Sequence, residues 1–222
     1  MDNKKKIKAS ISLPTITRLP LYLSYLCTLE NDGNGYISAP QIGKILHIDN
    51  TLITKDFAAI NIKGKRKVGY NIAEVILVIK NFLWTGEIRK AFVVGIGNLG
   101  KSLLAHKKFQ SQDLDIIAGF DINAEVEKKI EGIVIYDIKR FKDIYAKNPV
   151  EIGIITVPEI YAQNIANVMV ECGIKAIWNF SSIPVTAPKN IIIENLSIDS
   201  GLAMILYKLN NNVSVFYKNR KL

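Results

Sequence analysis

The chain has 222 residues, 49% of them hydrophobic, and carries 29 Lys and Arg against 20 Asp and Glu, a formal charge of +9. That is apolar matter enough for one large domain or two small ones. Two distant cysteines, Cys27 and Cys172, exclude a metal-finger spacing and a disulfide framework and fit a reduced, cytoplasmic setting; no apolar run approaches the ~18 residues of a membrane span, and the start, with Lys4, Lys5, Lys6 and Lys8, lacks the apolar core of a secretory signal.

The positive charge is unevenly shared. Residues 1–83 hold 12 Lys and Arg against 6 Asp and Glu, and the remaining 139 hold 17 against 14. The shorter segment therefore carries two-thirds of the surplus. A basic segment suggests a polyanionic partner, usually nucleic acid.

Within it, Thr15–Leu29 sets Leu19, Tyr22, Leu23, Leu26 and Leu29 at helix-face spacing. Turn residues Asn31-Asp32-Gly33-Asn34-Gly35 follow. Ser38 then caps a second helix, with Pro40 in its first turn and Gln41 three residues after the cap; it ends near Leu46. Asp49 or Asn50 caps a third helix that runs to about Ala59. Two short helices across a tight turn match a helix-turn-helix. Its recognition helix offers Asn50, Thr51, Thr54 and Lys55 to a major groove, with Arg18 and Ser38 also expected to face the DNA. The run Lys63-Gly64-Lys65-Arg66-Lys67-Val68-Gly69-Tyr70 predicts a β-hairpin wing, whose Lys65, Arg66 and Lys67 meet phosphates or a minor groove. Ile72–Leu83 predicts a final helix with an apolar face.

The character changes near Thr85-Gly86. Beyond it, predicted strands Ala91–Val94, Asp115–Phe120, Ile133–Tyr136, Ile152–Thr156, Ala176–Asn179 and Asn190–Glu194 alternate with helical stretches. That alternation argues for a parallel sheet with crossover helices, an α/β architecture. The boundary falls at about 84–89, giving domains 1–84 and 85–222.

The first of these strands runs straight into Gly95-Ile96-Gly97-Asn98-Leu99-Gly100, and a helix is predicted from Lys101 to Lys108. This is G-x-G-x-x-G with a strand before it and a helix after it. Gly95 allows the tight turn, Gly97 lets the backbone approach a pyrophosphate, and Gly100 lets helix and strand pack closely. The second strand ends in Asp121, 21 residues past Gly100, where an NAD-type site places its ribose-binding carboxylate. No arginine follows closely to accept the 2′-phosphate of NADP. Residues 95–100 with Asp121 and Ile122 are therefore expected to hold NAD or NADH. Ligands of open parallel sheets lie beyond the carboxyl ends of the strands, so Thr156, Val157, Pro158, Asn179 and Phe180 are candidates for the nicotinamide side.

A dehydrogenase needs a proton donor or acceptor near the hydride carbon. The only histidines are His47, in the basic segment, and His106, placed two turns into the helix after the glycine loop. Nothing pairs His106 with a carboxylate in sequence. A nucleotide grip without catalytic equipment points to a sensor rather than an enzyme.

Arg18-Leu19-Pro20-Leu21-Tyr22, Lys55-Asp56-Phe57, Gly64–Tyr70, Gly95–Gly100, Phe120-Asp121, Thr156-Val157-Pro158 and Trp178-Asn179-Phe180 together resemble the Rex redox-sensing transcriptional repressors over nearly the whole chain. The resemblance implies a homodimer in which each subunit joins a winged helix to a Rossmann domain, with a C-terminal helix, Leu202–Leu209, exchanged between subunits. It implies operator DNA bound when NADH is scarce and released when NADH rises. It also implies that Gly95, Gly97, Gly100 and Asp121 hold the adenosine and pyrophosphate half, and that Thr156, Pro158, Asn179 and Phe180 surround the nicotinamide. The chain departs from the family at four places: His106 stands where tyrosine is usual, Ser197 where aspartate is, Gly201 where glutamate is, and Thr54 where a second basic residue is. Two other readings stay open on the residues: a small NAD-dependent oxidoreductase with a basic appendage, and a DNA-binding protein that senses something else.

Overall fold

The computed structural model describes residues 11–30, 35–123, 128–196 and 198–211. The lysine-rich start, the turn at 31–34 and Ser197 lie outside them. The chain divides into two compact units, Met1–Thr85 and Gly86–Leu222.

In the first unit, α1 (Leu13–Glu30) buries Thr15, Leu19, Tyr22, Leu23 and Leu26 and carries Pro20 on its exposed side. It packs on α4 (Ile72–Leu83), which buries Ile72, Val75, Ile76 and Ile79. Between them come β1 (Tyr36–Ile37), α2 (Ala39–Leu46), α3 (Asn50–Ala59) and β2 (Tyr70–Asn71). The predicted capping box closes the start of α2: Gln41 N–H donates to the Ser38 hydroxyl, and Ser38 N–H donates to Gln41 Oε1 at 2.8 Å. His47 ends that helix in a left-handed conformation, and Asp49 caps α3 through Thr51 N–H at 2.7 Å.

The predicted wing is closed by a single antiparallel bridge. Lys65 and Gly69 form one bridge, with Lys65 N–H donating at 2.7 Å and Gly69 N–H returning at 2.9 Å. The strand that follows, β2, pairs antiparallel with β1, ahead of α2. The partner comes from across the helix-turn-helix, and a pairing of that range has no local sequence signal.

The second unit contains β3 (Arg89–Val94), α5 (Asn98–Leu104), a 3-10 turn (Lys107–Gln112), β4 (Leu114–Asp121), β5 (Lys129–Ile130), β6 (Ile133–Asp137), a 3-10 turn (Ile138–Arg140), α6 (Phe141–Lys147), β7 (Ile152–Ile155), α7 (Glu159–Cys172), β8 (Ala176–Asn179), β9 (Ile192–Asn195) and α8 (Ile198–Asn210). The sheet runs β5-β6-β4-β3-β7-β8-β9, parallel except for the β5 edge. Without that edge the order is the doubly wound 3-2-1-4-5-6, which reverses between β3 and β7. Phe92, Phe120 and Phe141 meet edge to face or tilted on one side of the sheet, against α6 and α7. Ala91, Val93, Leu104, Ile116 and Ile154 form the core on the other.

His106 corrects an expectation. The helix after the glycine loop stops at Leu104, and His106 caps the 3-10 turn that follows. That turn carries the half-buried Phe109 against the core, between His106 (4.5 Å) and Trp178 (6.0 Å).

Candidate functional site

The glycine loop sits at the point where the sheet order reverses. Gly95 has φ +98, and a Cβ on it would lie 2.7 Å from the Thr156 carbonyl carbon. Only glycine fits that conformation and that approach. A Cβ on Gly100 would lie 2.0 Å from the Gly95 oxygen, so α5 crosses the loop at a distance no side chain permits. Thr156 fastens the end of β7 to the loop, its hydroxyl donating to the Gly95 oxygen at 2.5 Å and the Val94 oxygen at 3.1 Å. Gly97 is different: a Cβ there meets nothing within 4 Å. Its open backbone leaves room for a ligand to lie against it, as the pyrophosphate of a dinucleotide requires.

Asp121 ends β4 facing that loop. Its Oδ2 accepts from Ile96 N–H at 2.6 Å and its Oδ1 from Asn123 N–H at 2.9 Å. The carboxylate thus holds the loop to the neighbouring strand end, with Ile122 exposed beside it. Asn98 and Leu99 open α5 at the surface. On the other side of the reversal, Thr156 and Val157 are half-buried and Pro158 caps α7. Phe180 is half-buried, its ring 4.7 Å from that of Trp178.

Asn179 is fully buried, and its amide is spent on the following loop. Its Nδ2 donates to the Ile183 carbonyl and to Asn195 Oδ1, both at 2.8 Å; its Oδ1 accepts from Ser181 N–H (3.0 Å) and Ser181 Oγ (2.7 Å). Asn179 shapes the turn that presents Phe180. Asn195, which also accepts from Val185 N–H at 3.0 Å, was not singled out from sequence.

In the first unit, Asn50, Thr51, Thr54 and Lys55 are all exposed on α3. Two of them carry local bonds: Thr51 Oγ1 donates to Asp49, and Thr54 Oγ1 to the Asn50 carbonyl at 3.0 Å. The opposite side of the same helix is tied down. Asp56, 2% exposed, accepts from Arg18 Nε (2.6 Å), Arg18 Nη2 (2.7 Å), Thr15 Oγ1 (2.8 Å) and Tyr22 Oη (2.7 Å). Burial alone would raise the carboxyl; the bonds from Arg18, Tyr22 and Thr15 more than offset it and hold it below its ordinary value. Arg18, expected to face DNA, is engaged with Asp56 and fixes α3 to α1. A sequence signal for this exists: Ile53, Asp56, Phe57 and Ile60 share one helix face, so Asp56 stands among core residues.

The wing presents Lys65, Arg66 and Lys67 to solvent. Lys65 Nζ donates to Tyr36 Oη at 2.8 Å and lies 5.2 Å from that ring centroid. That bond lowers the Tyr36 phenol from its ordinary value and raises the Lys65 ammonium. Tyr36, also missed in the sequence, thus anchors the wing. Lys67 has φ +64 at the tip of the turn. A long side chain held there costs roughly 1 kcal/mol against glycine. Lys67→Gly is therefore expected to raise the stability of the unit by about 1 kcal/mol. It should also weaken binding to any duplex DNA and lower the salt slope by about 1. Thermal melts and binding isotherms at several salt concentrations check both; a variant that binds as wild type removes Lys67 from the interface.

Among the described residues no group of three or more His, Cys, Asp and Glu could hold a metal ion, and no helix is long and apolar enough to cross a membrane.

Two family models match the chain: a DNA-binding protein N-terminus over residues 10–58 and a CoA binding domain over residues 87–183. Curated relatives include the redox-sensing transcriptional repressor Rex of Bacteroides fragilis, 38% identical over 96% of this chain and 98% of that protein. The Rex of Porphyromonas gingivalis is 36% identical over 88% and 90%, and that of Lactobacillus gasseri 32% identical over 100% of both. Among solved structures, RSP in complex with β-NAD+ and operator DNA matches with a TM-score of 0.81 at 29% identity over 91% of this chain and 94% of that one. RSP in complex with β-NADH matches at 0.80 and 30%, over 92% and 96%.

Proposed function

Because the chain belongs to the Rex family of redox-sensing transcriptional repressors, we infer that it binds operator DNA through its first unit and leaves it when NADH occupies the second. It is a regulator, not an enzyme. The observation that carries this reading is the pair of features in one chain: an exposed recognition helix beside a wing of three cations, and a glycine loop whose Gly97 backbone lies open next to a strand-end carboxylate.

The residues of the second unit fit a dinucleotide. Gly95, Ile96, Gly97, Asn98, Leu99 and Gly100 would hold the pyrophosphate. Asp121 and Ile122 would hold the adenosine, and Thr156, Val157, Pro158 and Phe180, supported by Asn179, the nicotinamide side. NADH and CoA share an adenosine diphosphate, which is what the CoA-domain likeness and the NAD reading have in common. A carboxylate at the ribose disfavours the extra ribose phosphate of CoA or NADP by like-charge repulsion.

In the first unit, Asn50, Thr51, Thr54 and Lys55 would read the major groove from α3, and Ser38, Lys65, Arg66 and Lys67 would contact the backbone. Arg18 acts through Asp56. The protein works as a homodimer on a two-fold operator in the cytoplasm. α8 supports dimerisation: Leu202, Met204, Ile205, Leu206, Tyr207 and Leu209 are all exposed, more apolar surface than one helix leaves to water. NADH must favour the DNA-free state of the dimer over the DNA-bound one, since a ligand that binds both equally shifts nothing.

The test is a titration of operator binding with NADH and with NAD+ at fixed salt. NADH is expected to lower operator affinity and NAD+ to do so less. If neither ligand changes the affinity, the sensor reading fails.

A further inference from the structure

The carboxyl edge of the sheet holds a second carboxylate that the fold does not fully use. In the parallel pair β4–β6, Asp121 and Asp137 are register partners at the last position of each strand. Adjacent strands lie about 4.8 Å apart, so Asp137 stands one strand further out along the edge from the residue that meets the ribose. In a dinucleotide laid across this edge from the glycine loop, the base follows the ribose in that same outward direction. Asp137 is half-buried. Its Oδ1 accepts from Lys139 N–H at 2.8 Å, which caps the 3-10 turn and fixes the side chain. Its Oδ2 has no donor among the described residues. The surroundings suit a flat, mostly apolar ring, since Ile122 is 68% exposed beside Asp121.

We propose that Asp137 reads the base of the bound dinucleotide, accepting from the exocyclic amine of adenine and rejecting a base that carries a carbonyl at that position. This rests on the cofactor reading of the preceding section. A carboxylate only accepts, and adenine offers an N–H donor at C6. Hypoxanthine places a carbonyl oxygen there, so acceptor faces acceptor and the favourable bond becomes a repulsive contact. A hydrogen bond to a charged group is worth about tenfold to a hundredfold in affinity. The edge therefore divides its work: Asp121 distinguishes a free ribose from a phosphorylated one, and Asp137 distinguishes the base.

The experiment compares NADH with reduced nicotinamide hypoxanthine dinucleotide on the full-length protein, by isothermal titration. The wild type is expected to prefer NADH about tenfold or more. Asp137→Asn keeps the Oδ1 that caps Lys139 but turns an amide N–H2 toward the base, and should abolish or reverse the preference. Asp137→Ser, which also keeps a capping oxygen, should abolish it if the asparagine variant folds poorly. Equal affinities of the wild type for the two dinucleotides would overturn the proposal, as would a preference unchanged in both variants. If the wild type binds neither dinucleotide, the cofactor reading itself is overturned and this one falls with it.

Discussion

Asp56→Ala is expected to unfold the first unit at temperatures where the second remains intact. Removing one partner of a buried ion pair typically costs 3–5 kcal/mol, because the other groups keep their desolvation and lose their bonds. Here three residues are stranded at once. The Tyr22 hydroxyl is fully buried and loses its acceptor, and the Thr15 hydroxyl loses one too. The Arg18 side chain keeps 22% exposure and recovers some hydration, which places the loss nearer ~3 kcal/mol. A domain has about 5–15 kcal/mol in total, so this is a large share. Calorimetry of the full chain should show two transitions in the variant, only one of them moved. NADH binding should survive while operator binding falls. If both transitions stay at their wild-type temperatures, Asp56 does not hold α3 to α1.

The same carboxylate predicts a direction with pH. Its folded-state value is held below the ordinary one. The stability it supplies is therefore present above about pH 4, the unfolded aspartate range, and is lost as pH falls through the lower folded value. On acidification below about pH 4 the first unit of the wild type should lose stability more steeply than that of Asp56→Asn, which has no charge to lose.

These residues also show where sequence reasoning stops. The strand, glycine loop and terminal acid at 91–121 were legible because each has a local signature. The capping box at Ser38 and Gln41 was legible for the same reason. Arg18 was legible only as a cation, and cations in a basic segment suggest DNA. Its partner lies 38 residues away in the chain, and no local pattern links the two. The wing was legible as a turn for its glycines, but the pairing of the strand after it with β1, on the far side of two helices, has no local signal. His106 shows a different limit. The helical pattern runs on to Lys108, yet the helix stops at Leu104 and a 3-10 turn follows, which lays the half-buried Phe109 against the core, a tertiary contact with no local signature. Asn179 looked like a lining residue because it ends a strand on the ligand side. It is a buried hub, satisfied by Ser181, Ile183 and Asn195. What the sequence conceals throughout is which polar group has already been claimed by a distant partner.

The glycine loop yields the sharpest separation of fold from function, since two of its glycines are required for opposite reasons. A methyl group on Gly100 would stand 2.0 Å from the Gly95 oxygen, against backbone that cannot swing away. Gly100→Ala is therefore expected to cost the second unit about 1–3 kcal/mol, the usual range for overpacking, and to weaken NADH binding as a by-product. Gly97→Ala should do the reverse. The residue has φ −73 in an extended conformation that alanine adopts, and its methyl would meet no protein atom within 4 Å. Its stability should match the wild type within about 0.5 kcal/mol, as for a surface substitution. That open space is where a pyrophosphate would lie against the backbone, and filling it should lower NADH affinity by about a hundredfold, ~2.7 kcal/mol. The protein would then stay on its operator at NADH concentrations that release the wild type. A Gly97→Ala protein that binds NADH as tightly as the wild type would show that the dinucleotide does not cross the loop at this point, whatever else it touches.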